Sequence, residues 1–252
     1  MSRPSSGIRF LIDATEGESR RLCVGIEING PFTASNLTVH FPRWVPGSYF
    51  LREPIQHMTE FVATDQSGNV LSAHRKDVDA MRIKLSPDTN SVMLTYRLLA
   101  TDLSVRGNHL DTTHLHMMPP FTWFMPTEGI DSARMNMEHI VELHAPKGWM
   151  PATQYTDTGS RTGKGELTQN QGTTHCFTSP QRDEFIDAII ECNPNGRRGT
   201  YTSPQIVGQW WTLSRCWNVG AIQTRYGPSG QRTSRLIRNT SLGQLRYGYP
   251  ID

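Results

Sequence analysis

The chain lacks most of the short patterns that betray chemistry. Its 252 residues contain no H-E-x-x-H, no C-x-x-C, no G-x-S-x-G, no G-x-G-x-x-G and no P-loop. These absences exclude, in turn, paired zinc-ligating histidines on a helix turn, a dithiol or thiolate metal knot, a serine nucleophile elbow, and a glycine-rich cradle for dinucleotides or phosphates. No apolar run approaches the ~18 residues of a membrane helix. The N-terminal M-S-R-P-S-S-G has no apolar leader core, so no secretory signal is expected. The cysteines (Cys23, Cys176, Cys192 and Cys216) are few and scattered. Free thiols in a reducing, cytoplasmic setting are the simplest expectation, with no membrane partner.

Histidine is absent after His175, and lysine and nearly all acid are absent after Cys192. From Asn193 onward there are eight Arg, no Lys and a single acid, Asp252, a formal +7. The 192 residues before it hold 17 basic and 22 acidic groups, a formal −5. So sharp a break divides the chain into a domain at 1–192 and an Arg-rich tail at 193–252. The tail has Trp210, Trp211 and Trp217 but no sustained helical or strand period. Three readings stay open for it. It is an extension packed through its tryptophans, a basic surface for an acidic partner, or coding sequence read out of frame near codon 193. Nucleic acid is not an expected partner.

What is present reads as β-structure. Hydrophobic content is 36%, and 16 Pro with 21 Gly suit strands and turns. Strands are expected at 8–13 and 22–28, forming an opening hairpin, and at 37–41, 61–64, 70–71, 81–85, 92–99, 140–144 and 173–178. In the second, Leu22, Val24, Ile26 and Ile28 alternate with Cys23, Gly25 and Glu27; in the seventh, Val92, Leu94, Tyr96 and Leu98 share a face. Residues 151–172 are polar, either a long loop or a weak hairpin, and 185–190 form the last apolar element. Short strands at this spacing predict an all-β fold, a β-sandwich or related open antiparallel sheets, with a poorly specified C-terminal tail.

Histidines are the other candidates. His114 and His116 stand two apart and share a face if they lie on a strand, where His109, Asp111 or Glu128 could complete a metal site. His139-x-x-Glu142-x-His144 imitates a zinc motif, but residues five apart on a strand face opposite sides, so no metal is expected there.

The least generic run is F-P-R-W-V-P-G-S-Y-F-L-R, residues 41–52. Pro42 and Pro46 stop a central ladder and Pro46-Gly47 makes a turn. Trp44, Tyr49 and Phe50 then pack as an aromatic corner closing a core, or form the lip of a cleft in which Arg52 faces a carboxylate or carbonyl. Trp44, Pro46, Gly47, Ser48, Tyr49 and Arg52 resemble the W-T-P-G-S-Y-x-x-R signature in the N-terminal domain of glycyl aminopeptidase-like zinc peptidases, metallopeptidase family 61. Asp102-Leu103-Ser104-Val105-Arg106 is similar to the family's D-L-S-V-R. Asp183-Glu184-Phe185-Ile186-Asp187 with Glu191 is similar to its D-E-L-x-D-x-P-x-E, with Ile189 in place of Pro.

The resemblance implies a non-catalytic β domain, a truncated or isolated copy, that walls a peptide cleft. Trp44, Ser48, Tyr49 and Arg52 are the candidate peptide-binding residues, and no residue is a candidate for catalysis. Zinc would belong to a missing catalytic domain, so no cofactor is expected here. The expected partners are peptides or a catalytic domain on another chain. A free-standing peptide- or protein-binding module is the alternative. A hydrolase built on His109, His114 and His116 is the third reading.

Overall fold

The computed structural model describes residues 8–43, 50–104, 107–179, 182–203, 206–213, 222–226 and 232–236. In chain order the first strands are β1 (Arg9–Asp13), β2 (Arg21–Asn29), β3 (Asn36–His40), β4 (Met58–Asp65), β5 (Ala73–Asp77), β6 (Ala80–Lys84) and β7 (Ser91–Leu99). There follow β8 (His109–Leu110), β9 (Leu115–Met117), β10 (Met125–Glu128), β11 (His139–Ala145), β12 (Met150–Thr153), β13 (Thr156–Lys164) and β14 (Gln171–Ser179). One helix, α1 (Arg182–Asp187), precedes β15 (Ile190–Asn193). The last four are β16 (Gly196–Ser203), β17 (Ile206–Leu213), β18 (Ile222–Tyr226) and β19 (Arg232–Leu236).

The chain is all-β, in several open sheets. Seven strands form the largest, in the order β13-β14-β11-β1-β2-β7-β4. Its pairs are antiparallel except β1 with β11. Two four-stranded sheets, β10-β3-β6-β5 and β12-β15-β9-β8, contribute to the same core. Period two explains why. Phe10 and Ile12 of β1, the even-numbered residues from Leu22 to Ile28 on β2, and Val92, Leu94, Tyr96 and Leu98 on β7 are all buried. They form one apolar cluster with Leu37, Val39 and Ile83 from the second sheet and with Leu115, Met117, Ile190 and Cys192 from the third.

The expected opening hairpin is β1–β2, in antiparallel register from Arg9 opposite Glu27 to Asp13 opposite Cys23. Other boundaries moved. Residues 70–71 make only an isolated bridge, Val70 to Thr64. The 151–172 region is structured, with β13 pairing along β14 as the edge of the large sheet. The apolar stretch 185–190 is divided between α1 and β15. Within the Arg-rich region β16 to β19 form an antiparallel meander that pairs only with itself among the described residues. Trp210 and Trp211 lie on β17, and Trp217 lies outside the described residues. Cys23, Cys176 and Cys192 are free thiols, and Cys216 lies outside the described residues. Among the described residues no helix is long and apolar enough to cross a membrane.

Candidate functional site

Two loops return to their starting points beside one another. The first runs from Arg43 to Arg52. Its proline-rich sequence has few amides to give, and the closure is made at its base. The Arg52 amide donates to the Arg43 carbonyl at 3.0 Å, and Arg43 Nε donates to the Arg52 carbonyl at 3.3 Å. Arg43 also faces Asp79 at 3.7 Å and Glu53 at 4.0 Å.

The second loop runs from Asp102 to Asn108. The Asp102 amide donates to the Asn108 carbonyl at 2.9 Å, and the Asp102 carboxylate accepts from the Ser104 amide at 2.7 Å. Gly107 is needed for this turn, since a Cβ there would stand 2.2 Å from Asp102 Oδ2. Asn108 is buried. Its side chain donates to the Phe121 carbonyl and accepts from the Met118 amide and the Thr122 hydroxyl, which ties the loop to the Pro119–Phe121 turn.

Between the loops lies a cleft of about 110 Å³, lined by Arg52, Glu53, His57, Leu99, Asp102 and Phe121 among others. Arg52 Nε is buried there with no hydrogen-bond partner. Such an atom has lost water without replacement, at a cost of about 1–3 kcal/mol, and is the natural place for an incoming acceptor. Beside the cleft large apolar side chains face solvent: Phe50 (67% exposed), Leu51 (64%) and Leu103 (62%), with Leu99 (43%) in its wall. Exposed apolar groups gathered round a polar cleft mark an interaction surface. Of the four expected binding residues, Arg52 is placed on this cleft. Trp44, Ser48 and Tyr49 lie outside the described residues, as do Val105 and Arg106.

The histidines are brought together elsewhere. His109 and His116 are cross-strand partners on β8 and β9, and Glu191 on β15 is the partner of His116. Glu191 contacts His116 Nδ1 at 2.6 Å and His114 Nε2 at 3.1 Å, and Asp111 contacts His109 Nε2 at 3.1 Å. Burial pushes the Glu191 carboxyl up, but the two histidine hydrogen bonds outweigh it and hold it below the usual range. Asp111 is likewise held well below its ordinary value, burial being overcome by hydrogen bonds from Thr113 and His109.

This spacing is that of shared protons. Ligand atoms on one tetrahedral zinc, with bonds of 2.0–2.1 Å, stand roughly 3.3 Å apart. Among the described residues no group of three or more His, Cys, Asp or Glu could hold a metal ion. Glu128, the other acid considered, pairs with Lys76 at 2.8 Å, far from these histidines in the pairing pattern.

On β11 the H-x-x-E-x-H residues diverge as strand geometry requires. His139 lies among Phe10 and Phe185. His144 contacts Thr174 at 2.9 Å and the Asn170 carbonyl at 3.0 Å. Glu142 holds Arg9 at 3.0 Å and Arg161 at 2.5 Å.

Sequence reasoning missed Arg9. Its guanidinium, 6% exposed, contacts Glu27 (3.2 Å), Glu142 (3.0 Å) and Glu166 (2.6 Å). Glu166 belongs to a strap, residues 165–170, that covers the outer face of the large sheet. Thr168 donates to Asp13 at 2.5 Å, and Leu167 lies against Gly25, where a Cβ would meet it at 2.9 Å. The available signal was an arginine set between Ile8 and Phe10 in an otherwise apolar strand.

A model of the peptidase M61 N-terminal domain matches residues 9–192. No curated protein sequence matches the chain. Among solved structures, an aminopeptidase N family protein from Idiomarina loihiensis is similar at TM-score 0.68 and 20% identity, over 83% of this chain and 33% of that one. An M1 zinc metallopeptidase from Deinococcus radiodurans aligns over 83% of this chain and 47% of its own, at 11% identity and TM-score 0.46. The first likeness is one of fold, and this chain spans about a third of that structure's length.

Proposed function

We propose, because the chain belongs to the family of peptidase M61 N-terminal domains, that it is the non-catalytic β domain of a metallo-aminopeptidase-like protein and walls a peptide-binding cleft. The observation that carries this reading is the convergence of Arg52 and Asp102 on one cleft between two closed loops. They are fifty positions apart and belong to different sequence signatures. A packing role alone would not leave a buried guanidinium nitrogen unpartnered beside exposed Phe50, Leu51 and Leu103.

On this reading zinc, which would polarise the scissile carbonyl and lower the pKa of a bound water, belongs to a catalytic domain these 252 residues do not contain. The chain's own residues bind and orient. Arg52 presents N–H donors to a peptide carbonyl, and the apolar lip excludes water beside it. The setting is cytoplasmic, in keeping with the free thiols.

Purified protein is expected to release no amino acid from glycyl or alanyl peptides above the buffer rate, with or without added zinc. Turnover that a chelator abolishes would overturn the non-catalytic reading. A second reading, a free-standing peptide- or protein-binding module, is favoured by the same exposed side chains. The two differ in whether a separately purified family catalytic domain gains rate or affinity when this chain is added.

A further inference from the structure

The cleft is too small for a whole ligand. At about 110 Å³ it falls below the roughly 300–1,000 Å³ of ordinary small-molecule pockets. It has room for the end of a chain whose remainder lies across the exposed lip of Phe50, Leu51 and Leu103. The charges then select which end. One guanidinium, Arg52, shares the cleft with two carboxylates, Asp102 and Glu53. A peptide's carboxyl end would bring a third negative charge among them, and its amino end brings a compensating positive one.

The groups are also fixed in place. The Asp102 carboxylate is held by the Ser104 amide at 2.7 Å and backed by Gly107, whose missing side chain gives it room. Arg52 is pinned through both backbone groups to Arg43, and its Nε lacks an acceptor. An ammonium group with a carbonyl one residue along supplies what each lacks.

We propose that this cleft takes the free amino end of a peptide, with the ammonium group at Asp102 and the first carbonyl at Arg52. The inference rests on the reading of the cleft as a peptide site. Charge-assisted hydrogen bonds of this kind are about twice as strong as neutral ones, so blocking the amine removes the strongest contact.

The test uses the full chain and two probes by fluorescence anisotropy. One is Gly-Ala-Gly-Ala-Lys-amide labelled with fluorescein on the lysine side chain, and the other is its N-acetyl form. Acetylation is expected to weaken binding at least tenfold. Asp102→Asn should reproduce that loss on the free-amine probe and leave the acetylated probe unchanged. Arg52→Gln should weaken both probes alike. Equal affinity for the two probes overturns the inference and leaves the peptide reading standing; binding of neither overturns both. If Asp102→Asn fails to fold, by its circular dichroism, the comparison of the two probes on the unsubstituted chain still decides.

Discussion

Arg9 holds together the charged outer face of the large sheet. Burial by itself would lower its pKa, yet the hydrogen bonds and charges of Glu166 and Glu142 raise it far above the usual guanidinium value. Removing only the cation leaves three carboxylates facing one another, and breaking a buried pair in this way costs about 3–5 kcal/mol. Arg9→Met is therefore expected to lose that much in urea denaturation. Glu166→Gln should lose no more than about 1 kcal/mol, because Glu166 is 45% exposed and screened; equal losses would show that Arg9 acts through packing alone. The acids of the histidine cluster give a pH dependence of definite sign. Glu191 and Asp111 are both held below their ordinary values of 4.5 and 3.8. The folded state binds fewer protons than the unfolded one as pH falls through those values. Their stabilisation is thus complete above about pH 5 and is lost on acidification. Melting temperature should fall between about pH 5 and 3, and Glu191→Gln should flatten the slope. An unchanged slope in the variant would assign the acid sensitivity to other carboxylates.

Strands were legible in the sequence where one face is buried, and illegible where neither is. β2 and β7 alternate cleanly because Leu22, Val24, Ile26 and Ile28 pack against Val92, Leu94, Tyr96 and Leu98. β5 (A-H-R-K-D) and β13 (T-D-T-G-S-R-T-G-K) are almost wholly exposed edges held by backbone pairing, so their composition carries no period. Nor could the sequence say that the strands on either side of S-P-D-T-N belong to different sheets, β6 beside β3 and β7 beside β2. That choice is made by long-range register. The site was half readable for the same reason. Arg52 stood out in an aromatic, proline-rich run, but its meeting with Asp102 depends on two loops closing side by side. The junction of β3 and β10 offers a check at this scale. Gly129 has φ +87°, and a Cβ there would stand 2.2 Å from the Asn36 carbonyl oxygen. Gly68 has φ +82° with nothing within 4 Å. Gly129→Ala should therefore cost about 3 kcal/mol or more, and Gly68→Ala only about 1 kcal/mol, in the same denaturation assay. Similar costs would mean that backbone angle alone governs both positions.

The whole molecule is a net-negative β body followed by a net-positive segment, and the sheets respect that break. Every strand from β1 to β15 finds its partners within that set, while β16 to β19 pair among themselves. The turn between them is local, the Asn195 amide donating to Asn193 Oδ1 at 2.8 Å. The approach of Gly196, where a Cβ would meet Met150 at 3.0 Å, brings β16 up against β12. Elements that share one apolar core and one set of ladders unfold together, and a sheet paired only with itself adds little to that unit. A chain ending at Asn195 keeps β15, whose Ile190 and Cys192 are fully buried, and loses no pairing of the body. It is expected to melt within a few degrees of the full chain, since a difference of about 1 kcal/mol moves the midpoint by roughly 2–4 °C at this size. It should also keep its affinity for the free-amine peptide, because the cleft at Arg52 and Asp102 draws no residue from beyond Phe121. A fall of more than about 10 °C would show instead that β16 is part of the cooperative unit, with Met150 and β12 as the seam, and would place the boundary of the fold beyond the charge break.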